Sequence, residues 1–390
     1  MNDTVRPGID VLLDERLELV RGRRIGLITH QAAVDRRLVP SIERLRHAPG
    51  VTVAALFGPE HGVDGARQAG ESVAHQRDPR TGIPVYSLYG PTSHPTDEML
   101  ADLDALVCDL QDAGSRYWTI IATMARCMQA AARAGLPFIL LDRPNPIGGL
   151  IVEGNVLDVA FRSSVGFHPI PMRHGLSLGE LARLIDRECH IGADLTVVPA
   201  AGWRRAQHFP QTGLAWVPPS PNTPTPDTVL LYPGTCLIEG TTLSEGRGTT
   251  RPFELIGAPW LDPDALADAL NRRDLPGVRF RPARFVPTFS KHQGSVCGGV
   301  QVHVIDRGAV RAVSVGLHLL DAARRQNPER FAWREPSRPG ARPFIDLLAG
   351  TDRLRIALDR GVPPEDLLAE WEADRLAWTD AARAYWLYLE

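Results

Sequence analysis

Along residues 1–150, short apolar runs alternate with segments of helical period, the pattern of a parallel α/β sheet. Strands are predicted at RRIGLIT (23–29), VTVAALF (51–57), IPVYSLY (83–89), ALVCDL (105–110) and PFILLD (137–142). Between the last two, SRYWTIIATMARCMQAAARAG carries apolar residues at helical spacing and stops at Gly135, a C-cap residue. In 174–189, HGLSLGELARLIDREC predicts a helix whose N-cap, Ser177, forms a capping box with Glu180. Five prolines in WVPPSPNTPTPD (216–227) predict an extended, rigid connection. From about residue 260 the alternation restarts. A helix over 262–273, strands at FVPTFS (285–290) and GGVQVHVID (298–306), and a helix over 312–326 predict a second α/β domain. Residues 363–388 read as amphipathic helix with no chemistry assigned.

Polar and glycine-rich residues follow each predicted strand: THQ, GPEHG, YG, QDAGSRY and DRPNPIGG in turn. In open α/β sheets the ligand crevice lies outside the carboxyl ends of the strands, so these segments should converge. Glu60 follows Pro59, which fixes the turn, while Gly62 and Gly65 leave room for a ligand. A partly desolvated carboxyl there suits proton donation near neutral pH. The competing reading makes Glu60 a helix cap or an ion-pair partner of an arginine. His61 either positions a substrate hydroxyl or is a neutral core histidine. His30, Gln31 and Asp64 belong to the same set of turns, and Gln111, Asp112, Arg116 and Tyr117 follow the fourth strand. Asp112 also suits the first turn of a helix on dipole grounds, whereas the Arg116 guanidinium suits a carboxylate fork. Asp142, Arg143 and Asn145 sit in a loop stiffened by two prolines, which favours preorganised binding over a plain connection.

Composition narrows the function. A chain of 390 residues exceeds one ordinary core and suggests two or three domains. With 44% hydrophobic and 23% charged residues and a formal charge of -3, it is ordinary globular material with no field for polyanions, which argues against nucleic acid. Five scattered cysteines without a CxxC pair read as buried thiols in a reducing compartment. The N-terminus carries acids where a signal peptide needs an apolar run, and no stretch approaches a membrane span, so a soluble cytoplasmic protein is expected. Lys291 is the only lysine, read as a compositional bias towards arginine. SEGRGTT (244–250) lacks the lysine and glycine spacing of a P-loop, although Glu245 and Arg247 can reach a ligand. Absence of GxGxxG, of a nucleophile elbow and of HExxH points away from dehydrogenases, kinases, serine hydrolases and zincins.

Taken together, LFGPEHGVDG, SLYGPTSHP, LVCDLQDAGSRYWT, LLDRPNPIGG, PIPMRHGLSLGELA, WVPPSPNTPT, YPGTCLIEGTTLSEGRGTTRPFELIGAPW and PTFSKHQGSVCGGVQVHV resemble the exo-β-N-acetylmuramidase family, glycoside hydrolase family 171. The resemblance implies a Rossmann-like parallel-sheet N-terminal domain and a smaller α/β C-terminal domain, divided here as 1–250 and 251–390, with a substrate groove between them. It implies release of terminal N-acetylmuramic acid from the non-reducing end of peptidoglycan fragments, without metal or organic cofactor, by a catalytic glutamate that maps onto Glu60. His174, Asn222 and Glu239 join the candidate binding residues from the matched segments. Glycoside hydrolysis ordinarily needs a second carboxylate. Asp112, Glu239 and Glu245 are open for that role, as is the substrate's own acetamido group, while Arg116, Arg143 and Arg247 compete for the lactyl carboxylate. Two positions depart from the family: His30 stands where Asn is usual, and Asp64 where Arg is usual. Two rival readings are a Mg²⁺-assisted hydrolase on Asp109, Asp112 and Asp142, and a muropeptide-binding protein without catalysis.

Overall fold

The computed structural model describes residues 4–68, 70–71, 75–90, 92–336 and 338–390. Twelve strands are found among them: β1 (Arg24–Thr29), β2 (Thr52–Gly58), β3 (Gln76–Arg77), β4 (Pro84–Ser87), β5 (Ala105–Asp109), β6 (Phe138–Leu141), β7 (Glu153–Val156), β8 (Pro171–Arg173), β9 (Leu195–Val198), β10 (Leu255–Ala258), β11 (Val278–Phe285) and β12 (Cys297–Val304). A seven-stranded sheet runs β3-β4-β2-β1-β5-β6-β9, a three-stranded sheet β10-β12-β11, and β7 pairs with β8. In the large sheet only β3 is antiparallel to its neighbour. Its six parallel strands therefore follow the spatial order third, second, first, fourth, fifth, sixth, the order of doubly wound dinucleotide-binding sheets.

The five strands expected before residue 150 all form, their ends within two residues of those expected. β1 and β5 are buried along nearly their whole length, as central strands covered on both faces require. The helix Thr119–Ala134 ends on Gly135 at φ 65°, and Ser177 caps Leu178–Glu188 in a complete capping box with Glu180. β9 was not foreseen. Its TVV run is short, and half-burial at the sheet edge leaves no strong apolar signal.

Towards the C-terminus the strand expected at 285–290 is displaced. β11 covers Val278–Phe285, and the chain turns away at Val286 and Pro287, where a proline cannot donate to the ladder. Residues 363–388 form two helices, Pro364–Glu370 and Glu372–Ala382, then a 3₁₀ turn, rather than one amphipathic rod. The last residues return to the large sheet: Tyr388 donates to Asp142 Oδ2 at 2.6 Å and accepts from the Ala200 amide at 3.0 Å.

The two sheets are joined by the helices Pro226–Thr235 and Ala312–Gln326. They cross where Gly234 meets Gly316, so closely that a Cβ on Gly234 would stand 1.7 Å from the Ala312 carbonyl oxygen. Buried Glu153 adds a second tie, accepting from Arg173 Nη1 at 2.8 Å and from the Ala312 and Val313 amides at the start of the second helix. No helix among the described residues is long and apolar enough to cross a membrane.

Candidate active site

The point where strand order reverses, between β1 and β5, is where a doubly wound sheet ordinarily holds its ligand. Here it is filled. Gln31, just past β1, donates from Nε2 to the Pro218 carbonyl at 2.7 Å, pulling the proline-rich connection across the crevice. A void of about 20 Å³ remains, bordered by Gln111, Arg143, Phe209 and the segment 214–217. The open cavity, about 770 Å³, lies instead beyond the ends of β2 and β4 and under the C-terminal half of the chain. Its volume falls within the range of small-ligand sites.

Glu60 is on the wall of this cavity, two residues beyond β2. The turn that carries it is tight: the Gly62 amide donates to the Pro59 carbonyl at 3.0 Å, and His61 adopts φ 74°. A non-glycine residue held in that left-handed region costs about 1 kcal/mol and persists only where surroundings over-determine it. His61 is held by its Nδ1 contact of 2.8 Å with the Arg67 carbonyl. Burial draws the His61 pKa below its ordinary value against the pull of Glu60, which keeps the ring neutral at pH 7. Gly65 permits close approach, since a Cβ there would come within 2.1 Å of the Gln31 side chain. Both Glu60 oxygens are occupied by neutral donors. Oε1 accepts from the Gly70 amide at 2.9 Å, and Oε2 from Thr119 Oγ1 at 2.7 Å. Tyr89 also faces it: burial first, then the Glu60 carboxylate, push the phenol up to about 12.

Carboxylates on the other wall are held by cations. Arg247 donates to Glu239 Oε1 from Nε at 2.9 Å and from Nη2 at 2.6 Å, and its Nε lies 3.5 Å from Glu245 Oε1. Burial pulls the Arg247 pKa down, but Glu239 and Glu245 overcome this and hold it above its ordinary value. Lys291 Nζ is 2.8 Å from Glu245 Oε2 and donates to the Ile238 and Thr241 carbonyls at 3.1 and 3.0 Å, which sets its ammonium between one carboxylate and two carbonyls. Tyr232 packs edge-on against Trp118 and Phe253, with centroids 5.5 and 4.9 Å away, and these rings supply apolar lining.

Two family profiles match successive parts of the chain: "Exo-beta-N-acetylmuramidase NamZ, N-terminal" over residues 25–227 and "Exo-beta-N-acetylmuramidase NamZ, C-terminal" over 230–388. The chain belongs to the exo-β-N-acetylmuramidase family. It is 46% identical over 384 residues to the peptidoglycan beta-N-acetylmuramidase NamZ of Bacillus subtilis (strain 168), covering 98% of this chain and 91% of that protein. Two crystal structures of DUF1343 family proteins from Bacteroides fragilis superpose on it. One is 38% identical with a TM-score of 0.90, the other 28% identical with a TM-score of 0.79, and in each comparison both chains are 99% covered. The profiles meet between residues 227 and 230, where the helix Pro226–Thr235 begins.

Within this exo-β-N-acetylmuramidase fold, Glu60, His61, Tyr117, Glu239, Glu245 and Arg247 meet at the cavity, while the other expected residues do not line it. Arg116 is 1% exposed and spends its guanidinium on four backbone carbonyls: Asn155 and Ile170 at 2.8 and 2.9 Å, Leu348 and Ala349 at 3.0 and 2.7 Å. Arg143 forks onto Asp109 at 2.6 and 2.9 Å behind the sheet's carboxyl edge. Neither arginine is placed to receive a substrate. Asp112 is buried, accepting from the Gly114 amide at 2.6 Å, with His174 Nε2 at 3.3 Å. Asn145 bridges the Leu176 carbonyl and the Ile147 amide. His30 accepts from the Gln111 amide at 2.7 Å, and burial, then Arg143, lower its pKa to about 3. Gln111 donates to the Asp112 and Pro144 carbonyls. Asp64 is exposed and, among the described residues, accepts only from the Ala66 amide, while Asn222 reaches Gln68 at 3.1 Å on a neighbouring groove. Asp142, expected in a binding loop, is a buried acceptor for Ser177, Tyr388 and Gly179.

Sequence reasoning missed Thr119, Tyr89, Lys291 and Arg334, all on the cavity wall. For Lys291 the signal was present: one lysine among 43 basic residues suggests a site where a compact ammonium with three donors cannot be replaced by a planar fork.

Proposed function

We propose that this chain hydrolyses the glycosidic bond of a terminal N-acetylmuramic acid at the non-reducing end of peptidoglycan fragments, with Glu60 as general acid. The observation that carries the proposal is the division of carboxylates across one cavity: Glu60 held by an amide and a hydroxyl, Glu239 and Glu245 held by Arg247 and Lys291. Cleavage then proceeds with Glu60 giving its proton to the leaving sugar oxygen as positive charge develops at the anomeric carbon. Of the two carboxylates opposite, Glu239 is assigned the second role. Arg247 binds only its Oε1, so Oε2 carries no protein hydrogen bond among the described residues and is available to a water or to the anomeric centre. Glu245 is 2% exposed, with Lys291 against Oε2 and Arg247 against Oε1, and serves to hold Arg247 and Lys291 in place.

The metal-assisted reading is not favoured. Asp109 is occupied by Arg143 and Ser41, and Asp142 by Ser177 and Tyr388. Product analysis by mass spectrometry on a muramic-acid-terminated disaccharide and a longer glycan tests the proposal. Release of the single N-acetylmuramic acid at the non-reducing end of each, leaving the rest of the longer glycan intact, is expected. Internal cleavage, or binding with no sugar released, would overturn it.

A further inference from the structure

Three carboxylates and three permanent cations line the cavity: Glu60, Glu239 and Glu245 against Arg247, Lys291 and Arg334. Two of the cations are committed. Arg247 is paired with Glu239 and Glu245, and Lys291 lies 2.8 Å from Glu245 while donating to the Ile238 and Thr241 carbonyls. Arg334 differs. Among the described residues no carboxylate lies within ion-pair distance of its guanidinium, and no side-chain hydrogen bond is made by it, although the residue borders a cavity lined by three acids.

Its position is nevertheless fixed. The Arg334 amide donates to the Gly240 carbonyl at 2.8 Å, and the Thr242 amide donates to the Ala332 carbonyl at 2.9 Å, which pins the segment beside Glu239. The guanidinium lies over the Phe344 ring with Cζ 5.3 Å from the centroid. Stacking of this kind restrains a long side chain while leaving the N–H edge free for a planar anion. Lys291 and Arg247, by contrast, are each set against a carboxylate of the same wall.

We propose that Arg334 is the receptor for a substrate carboxylate and thereby sets the specificity of the site. The assignment rests on the glycosidase reading above and deepens it. Two sources supply such a group: the lactyl carboxylate of muramic acid itself, or, where the lactyl group is amidated, a carboxylate of the attached peptide. With Arg247 and Lys291 set against Glu239 and Glu245, Arg334 is the cavity cation that, among the described residues, no carboxylate neutralises, so it should act chiefly on binding rather than on bond cleavage.

Arg334→Gln and Arg334→Lys, with unfolding midpoints checked against wild type, are assayed on three aryl glycosides: free-lactyl muramic acid, its lactyl methyl ester, and the lactyl-peptide derivative. On one of the two anionic substrates Arg334→Gln should raise KM about 10- to 100-fold with kcat within about threefold, as expected when one charged hydrogen-bonding partner of a ligand is removed. Arg334→Lys should recover part of that loss, and the ester should show no difference between variants. A KM rise confined to the free-lactyl glycoside names the lactyl carboxylate as the source, and one confined to the peptide derivative names the stem. Unchanged KM on both anionic substrates, or an equal rise on the ester, overturns the assignment while leaving the glycosidase reading intact. If wild type cleaves none of the three, the glycosidase reading itself fails. Calorimetric titration with free N-acetylmuramic acid then decides Arg334 separately, requiring binding by wild type that Arg334→Gln loses.

Discussion

Replacing Arg116 by Met separates structure from function at a residue whose sequence context favoured substrate binding. The guanidinium is 1% exposed and donates four hydrogen bonds of 2.7–3.0 Å to backbone carbonyls. Two of these acceptors, Asn155 and Ile170, belong to the N-terminal half, and two, Leu348 and Ala349, to the C-terminal half. Burial draws the arginine down to about 10, so it remains a cation at neutral pH. Each net bond is worth roughly 1 kcal/mol, and an orphaned buried acceptor costs about 1–3 kcal/mol. Relief of the guanidinium's own desolvation offsets part of the loss, leaving an expected destabilisation of about 3–5 kcal/mol. That is a large share of a total of about 5–15 kcal/mol. Urea unfolding followed by far-ultraviolet circular dichroism, with the slope of each transition compared between variants, measures it. Arg116→Lys, with three donors for four acceptors, should lose roughly half as much. A loss under about 1 kcal/mol together with a raised KM would refute the reasoning and return Arg116 to the substrate.

Three further outcomes follow from buried titrations and from the lysine. Burial raises Asp142 from 3.8 to about 6 against the donors Ser177, Tyr388 and Gly179. A carboxyl raised on folding adds stability that is complete below its unfolded value and lost as pH climbs through the folded one. Asp142→Asn should therefore remove a fall in stability between about pH 4 and 7 in urea midpoints, and an unchanged pH slope would contradict it. His30, lowered to about 3 first by burial and then by Arg143, works in the opposite sense, its stability being present above 6.5 and lost on acidification. His30→Asn should accordingly unfold less steeply between about pH 6 and 4, measured by the same midpoints. Lys291→Arg should lower kcat/KM by about tenfold or more, because a planar fork cannot reach Glu245, Ile238 and Thr241 at once, and wild-type kinetics would contradict that geometry.

The first sheet was legible because its central strands are buried on both faces and therefore written as unbroken apolar runs. The Ser177 capping box and the Gly135 cap were legible for local reasons, each needing only a few adjacent residues. Position within the crevice was not. Arg116, Arg143 and Asp112 stand at strand ends as the active-site rule demands, yet the fold turns them inward. Which way a strand-end side chain faces depends on partners far along the chain, such as Leu348 for Arg116, 232 residues away. The proline-rich segment that closes the strand-order reversal was recognised as rigid, but nothing local told that it would cross β1 and move the cavity to β2 and β4. Arg334 gave no local signal, since what distinguishes it is the pairing of the other cations around the cavity.

The central claim is that Glu60 protonates the leaving group, and leaving-group dependence tests it most directly. Glu60→Gln keeps the size of the side chain and its place beside Thr119 and Gly70, and its unfolding midpoint should match wild type. With a muramic-acid disaccharide, whose sugar oxygen leaves poorly, kcat/KM should drop about 10²- to 10⁴-fold. With an aryl glycoside whose phenol departs without help, the drop should shrink to about tenfold or less. Equal losses on both substrates, or disaccharide cleavage within about threefold of wild type, would contradict the account.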